Sequence, residues 1–242
     1  MARMTETREV RGFAELDLRG PGDAELEQGS GESLVIEADE AVMPRIRSEV
    51  REGRLVLGLD IQWWEWVGWW IAWLFLPDKT ITYRVGMREV RGLRISGSGS
   101  IHAGAIHTDR CDLSIVGSGS LQIGEMASAD TRMTISGSGG LRVSRLEAED
   151  VTTDISGSGD VEVSGTAQDH DVRISGSGRV KAATLETQQA AVWISGSGSA
   201  TVNAREEIDI QITGSGSVDY VGQPRVSQRV TGSGSIRSRS AA

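Results

Sequence analysis

The sequence predicts an all-β protein built as a single-stranded parallel β-helix, a solenoid in which the chain winds through successive coils of strand. Three observations predict this fold. They are a short glycine phrase that recurs along the chain, a spacing near 20 residues between its copies, and an alternation of apolar and polar residues around it.

The recurring phrase is Gly-Ser-Gly, which occurs eight times from residue 97 onward, at spacings of 18 to 20 residues. A fixed period in this range is typical of solenoid repeats. Glycine tolerates a positive φ and a close backbone approach, so each phrase is predicted to form a corner between two strands. The serine between the glycines is expected to tie its hydroxyl to the neighbouring backbone. The first glycines are Gly97, Gly117, Gly137, Gly157, Gly176, Gly196, Gly214 and Gly232.

Apolar columns appear when the repeats are aligned on the first glycine. A β-branched residue lies two positions before it, and mostly apolar residues lie four and six positions after it, with polar residues between them. A period of two indicates strands with one inward face. The column before the glycine is Ile95, Ile115, Ile135, Ile155, Ile174, Ile194, Ile212 and Val230. Weaker apolar positions on the return path are Ile106, Met126, Leu146 and Leu185.

Composition excludes some partners. The formal net charge of the 242 residues is −9, so the chain lacks the basic surface that phosphate backbones require, and we predict no nucleic acid partner. Cys111 is the single cysteine, so no intrachain disulfide is expected. The N-terminal stretch lacks the apolar run of a secretory signal, which favours the cytoplasm or the periphery of a membrane.

The serial Ile-Ser-Gly-Ser-Gly strings, the stretch KTITYRVGMREVRGLRISGSGS before them and the N-terminal stretch beginning VRGFAELDLRG resemble the GIN domain. This family is described as a head domain of autotransporter adhesins and as a domain of unknown function. The resemblance implies a right-handed β-helix whose N-terminal part adds strands and covers one end. It also implies a place in the cell envelope and brings no catalytic residues. The predicted organisation is 1–8 disordered, 9–60 N-terminal strands, 61–78 Trp-rich insertion, 79–238 β-helix and 239–242 tail.

The insertion contains six of the seven tryptophans in the stretch DIQWWEWVGWWIAWLFLPDK. Part of it has helical spacing, but tryptophan is also a good strand former, so a helix and a hairpin both remain open. A soluble monomer does not leave so much aromatic surface in water. We expect the insertion to cap the solenoid, to join subunits of a homo-oligomer or to contact a membrane interface. The predicted contact residues are Trp63, Trp64, Trp66, Trp69, Trp70, Trp73, Leu74, Phe75 and Leu76.

The residues for chemistry are sparse. With three histidines and no Ser, His, Asp arrangement, we predict no enzyme, no catalytic residues and no cofactor. His102 is expected at an outward strand position, whereas three nearby residues are expected in a return loop. These four side chains should therefore not converge, and we predict no metal site. The three loop residues are His107, Asp109 and Cys111. A solvated acidic side is expected at Asp150, Asp154, Asp160, Asp169 and Asp171.

Trp193 lies in an outward column between two inward residues. It could stack a sugar on a flat sheet face, or it could be covered by a neighbouring side chain, as is commoner for a lone surface tryptophan. We interpret the chain as a non-catalytic scaffolding β-helix that self-associates or contacts membrane through its Trp-rich insertion. The alternative is an adhesin-like or carbohydrate-binding head that uses an outward sheet face.

Overall fold

A computed structural model describes residues 3–59 and 81–239. Nineteen strands in these ranges form one hydrogen-bonded sheet that winds into a parallel solenoid. This confirms the predicted fold class and the coil length near 20 residues. The helical structure in these ranges is limited to a 3-10 turn at Met43–Arg45. None of it is long and apolar enough to cross a membrane.

The N-terminal strands pair out of sequence order around the first coil. These strands are β1 (Arg3–Arg8), β2 (Glu15–Arg19), β3 (Asp23–Gln28), β4 (Ser33–Asp39), β5 (Ile46–Arg51), β6 (Arg54–Leu59) and β7 (Thr82–Met87), and the first coil begins with β8 (Gly92–Gly97) and β9 (Ser100–His107). β2 and β3 pair in parallel with β8 and β9 on one side, and with β6 and β7 on the other. The antiparallel pairs β5–β6, β4–β7 and β1–β4 extend the sheet beyond them.

Residues 3–8 are ordered, in contrast to the disorder expected over 1–8. Arg3–Arg8 forms β1, whose register with β4 runs from Arg3 opposite Asp39 to Arg8 opposite Leu34. The backbone of β1 satisfies the hydrogen-bonding groups along the otherwise open edge of β4. Order there comes from this long-range pairing, which the local sequence pattern does not reveal.

The later coils stack one on the next. Each coil has a front wall, which we define as the residues leading into a Gly-Ser-Gly corner, and a back wall, which leaves it. The remaining strands are β10 (Arg110–Gly117), β11 (Ser120–Gly137), β12 (Gly140–Gly157), β13 (Asp160–Thr166), β14 (Asp169–Gly176), β15 (Arg179–Gly196), β16 (Ser199–Gly214), β17 (Ser217–Val221), β18 (Arg225–Gly232) and β19 (Ser235–Arg239). The return path, expected as a loop, is itself strand in several coils, because β11 pairs with β12 almost residue for residue.

The predicted apolar columns form the core. The isoleucines two positions before the glycine are in register from coil to coil. From Ile95 to Ile212 they are at most 2% exposed, whereas Val230 in the last described coil is 41% exposed. The return-path residues Ile106, Met126, Leu146 and Leu185 are also buried.

The two glycines of a corner are required for different reasons. Gly157 has a φ of 124°, and a Cβ there would lie 2.5 Å from the carbonyl oxygen of Gly137 in the coil before. Gly159 needs no positive φ, but a Cβ would lie 2.6 Å from Cγ2 of Ile135. Ser158 between them is exposed, and its hydroxyl makes no hydrogen bond to any described residue, contrary to expectation. Backbone hydrogen bonds stabilise the corner instead. The N–H of Ser158 donates to the carbonyl oxygen of Gly137 at 2.9 Å.

Candidate ligand-binding face

The outward face of the front wall carries the aromatic side chain predicted as a ligand contact. Trp193 lies on β15, between the inward residues Val192 and Ile194, and its side chain is half-buried. The predicted outward position is therefore correct. Register places Arg173 beside it in the preceding coil and Gln211 beside it in the following coil.

Arg173 stacks on the indole of Trp193. Its guanidinium carbon lies 4.7 Å from the centroid of the ring, within the range of a cation–π contact. Two carboxylates hold this guanidinium in place, Asp171 at 3.4 Å and Asp154 at 3.9 Å. Arg173 thus covers one side of the indole. This agrees with the alternative in which a neighbouring side chain covers Trp193.

A shallow groove of about 400 Å³ surrounds this pair, and we call it the Trp193 groove. Its floor is the sheet, and its lining combines one aromatic ring with hydroxyls that donate and accept hydrogen bonds. The hydroxyl-bearing residues are Thr134, Ser136, Ser156, Ser175, Ser195 and Thr213.

A second depression of about 530 Å³ lies on the same coils, farther from the corner, and we call it the acidic groove. Asp150 is in register with Asp130 on one side and with Asp169 on the other. Asp150 and Asp169 form no ion pair within the described ranges. Partial burial, together with repulsion from Asp150 and Asp171, raises the pKa of Asp169 above its ordinary value. The expected acidic side is therefore found at Asp150 and Asp169, whereas Asp130 in the same column pairs with Arg110 at 3.5 Å.

His170 lies beneath the acidic groove with its side chain turned inward. It is 1% exposed, and its Nε2 is 3.1 Å from the hydroxyl of Thr153. Burial lowers its pKa to about 4, so the ring is neutral at pH 7. It is a core histidine and does not reach the surface where a ligand would bind.

His102, His107, Asp109 and Cys111 are close in sequence but do not come together as a metal site. Cys111 is fully buried in β10, and burial raises the pKa of its thiol to about 12, whereas His102 and His107 on β9 are exposed. The return loop expected for these residues is thus strand at both ends, β9 before and β10 after. In the described part of the chain, no three His, Cys, Asp or Glu side chains lie close enough to hold a metal ion.

The predicted Trp-rich contact lies outside the described residues. This applies to Trp63, Trp64, Trp66, Trp69, Trp70, Trp73, Leu74, Phe75 and Leu76. The described residues on either side of this stretch are Leu59, the last residue of β6, and Ile81, which is buried.

Sequence reasoning missed the partner of Trp193 and the stacked carboxylates. The signal was present in the spacing, since Arg173 and Trp193 each lie three positions before the first glycine of their coils. Asp130, Asp150 and Asp169 likewise share the position seven before it. Both features become apparent when the outward columns are aligned in the same way as the inward columns.

The fold and its outward grooves define a β-solenoid with a surface suited to binding. The chain belongs to the family described as "Putative auto-transporter adhesin, head GIN domain", whose model matches residues 12–224. This confirms the family indicated by the glycine strings.

Three solved structures share the fold over almost their whole length. A "putative adhesin" from Parabacteroides distasonis ATCC 8503 is 21% identical with a TM-score of 0.89, covering 98% of this chain and 97% of that one. A "Putative lipid binding protein" from the same organism is 23% identical with a TM-score of 0.88, covering 98% and 96%. A "putative adhesin" from Parabacteroides merdae ATCC 43184 is 20% identical with a TM-score of 0.88, covering 98% and 96%. A search of curated proteins found no match.

Proposed function

We propose that this chain is a non-catalytic, adhesin-like head of the cell envelope that holds a carbohydrate in the Trp193 groove. The observation that carries the proposal is the half-buried indole of Trp193, held by Arg173 in a shallow groove lined by hydroxyls. Sugars offer an apolar C–H face to an aromatic ring and hydroxyls to polar neighbours, and ligand sites combine such groups. The family description, an adhesin head, supports a binding role and an envelope location.

Binding of a lipid chain is a weaker interpretation of the same face. One structural neighbour is described as a lipid binding protein, and that description belongs to that protein. An acyl chain needs an enclosed apolar cavity, whereas the Trp193 groove is open and contains Arg173 beside the ring and Asp154 beside that arginine. The polar rim therefore favours a sugar.

The experiment is a glycan array probed with the labelled protein, followed by titration of the glycans that bind. Loss of a central aromatic anchor costs about 2 kcal/mol or more, so Trp193→Ala should weaken binding by about 30-fold. Trp193→Phe keeps a planar ring and should retain most of the affinity. Arg142→Ala, at an exposed back-wall residue paired with Glu162 at 2.9 Å, is the control and should bind as the parent does. An array without specific binding, or equal affinity of Trp193→Ala and the parent, contradicts the proposal.

We propose a second function for the Trp-rich insertion, contact with another subunit or with a membrane interface. Its support is the sequence alone, in which six tryptophans lie between Trp63 and Trp73. Such a contact would anchor the head to a membrane or assemble several heads into an oligomer, without altering the Trp193 groove. The deletion that tests it is given in the Discussion.

A further inference from the structure

The coil formed by β18 and β19 ends the described sheet and has an uncovered edge. β18 pairs only with β16, and β19 only with β17, so the opposite side of both strands carries unpaired N–H and C=O groups within the described ranges. Every residue of β18 is exposed. Val226 and Val230 are 37% and 41% exposed, although Ile208 and Ile212, at the same positions one coil earlier, are at most 1% exposed.

This edge is basic, in contrast to the chain as a whole. Residues 222–239 contain four arginines and no acidic residue, whereas the formal net charge of the chain is −9. Arg225 and Arg239 pair with acidic residues of the coil before, Glu207 at 4.0 Å and Asp219 at 2.6 Å. Arg229 and Arg237 form no ion pair with any described residue. The coil also lies beyond residues 12–224, where the family model matches.

We propose that this edge accepts an extended acidic segment of another protein as an added β-strand. The backbone of the incoming strand would satisfy the open hydrogen-bonding groups of β18. Its inward side chains would be apolar and cover Val226 and Val230, and its outward side chains would be carboxylates facing Arg229. The partner segment is therefore one in which apolar and acidic residues alternate over about the eight residues of β18.

The charge pattern favours this occupant over a second copy of the chain. Two such coils placed edge to edge would oppose arginines with arginines, and like charges across an interface suppress association. At the other end, the edge strands β1 and β5 each carry two arginines and one glutamate, so head-to-tail stacking gains little electrostatically. Positive charge on an open edge thus discourages self-association while it attracts a carboxylate-bearing strand.

The test is fluorescence anisotropy with the full chain and a labelled eight-residue peptide of alternating valine and glutamate. We expect saturable binding that weakens with added salt, and no binding of the matching valine–lysine peptide. Arg229→Glu combined with Arg237→Glu should weaken binding by at least about tenfold. Arg94→Glu is the matched control, because Arg94 is exposed and occupies the same position as Arg229 in an interior coil. Trp193→Ala should leave peptide binding unchanged, which separates this site from the Trp193 groove.

Two peptides methylated on alternate amide nitrogens separate strand addition from simple charge attraction. The methyl groups point toward β18 in only one of the two peptides, so only that peptide should lose binding. Equal binding of both methylated peptides would overturn the proposal, as would equal binding of the glutamate and lysine peptides. Light scattering that shows a dimer abolished by the double arginine variant would also overturn it, because a second copy would then occupy the edge.

Discussion

Replacing Gly157 by alanine tests how the corners determine the fold. The backbone there has a φ of 124°, outside the regions that residues with a Cβ adopt readily. The new methyl group would lie 2.5 Å from the carbonyl oxygen of Gly137, so one coil must move away from the next. That oxygen also accepts the hydrogen bond from Ser158 at 2.9 Å, and the movement weakens it.

The expected loss follows from these two effects. An unfavourable left-handed conformation costs about 1–2 kcal/mol for a residue with a Cβ. Overpacking a close contact adds about 1–3 kcal/mol. We therefore expect Gly157→Ala to lower the free energy of unfolding by about 3 kcal/mol, which is about 6–12 °C in Tm for a chain of this size.

Gly140→Ala is the matched control, since Gly140 follows the preceding corner and belongs to the same repeat. Its φ is not positive, and a Cβ there meets nothing within 4 Å. This change should be neutral or stabilise by about 0.4–1 kcal/mol, because it restricts the unfolded chain. Urea unfolding followed by circular dichroism measures both variants, and the m-value reports whether coils unfold separately. Equal stability of the two variants would refute the close-approach explanation of the corner.

Three further predictions concern other parts of the chain. Burial lowers the pKa of His170 to about 4, below the 6.5 of the unfolded chain. Its contribution to the free energy of unfolding is therefore fully present above pH 6.5, and about 3 kcal/mol is lost as the pH falls toward 4. His170→Val, which copies Val151 one coil earlier, should flatten that slope in urea titrations at each pH; an unchanged slope would assign it elsewhere. Cys111 should resist alkylation by iodoacetamide at pH 8 and react in urea, because burial raises its pKa to about 12; rapid native labelling would contradict its position. Deletion of residues 62–76 should leave the β-rich circular dichroism intact and yield a smaller species, or one released from liposomes, in light scattering; an unchanged mass and liposome binding would exclude a role of the insertion in association.

The coil architecture could be predicted from sequence because each coil repeats the same physical requirement. A β-branched residue such as Ile135 must be buried in every turn, and Gly157 must let the next turn approach, so the period appears as columns. The family resemblance and the inward columns rest on these positions. Trp193 was placed on the outward face by the same alternation.

The remaining features depend on contacts between distant parts of the chain. The strand Arg3–Arg8 exists because β4 has an open edge, and no local pattern marks it. The inward position of His170 is not marked by an apolar residue, because a polar side chain is tolerated there where Thr153 supplies a hydrogen bond. The stack of Asp150 on Asp169 is apparent only when outward columns are aligned as carefully as inward ones.

The register that places each glycine corner opposite the corner of the next coil has a consequence for how such a molecule can change in length. Gaining or losing one whole repeat would leave every glycine corner opposite another and would shift the tip by about 4.8 Å. Gene duplication could therefore alter the reach of a head like this one in uniform steps. The grooves on its side would then move outward as intact units, without redesign of the surface that we propose binds a ligand.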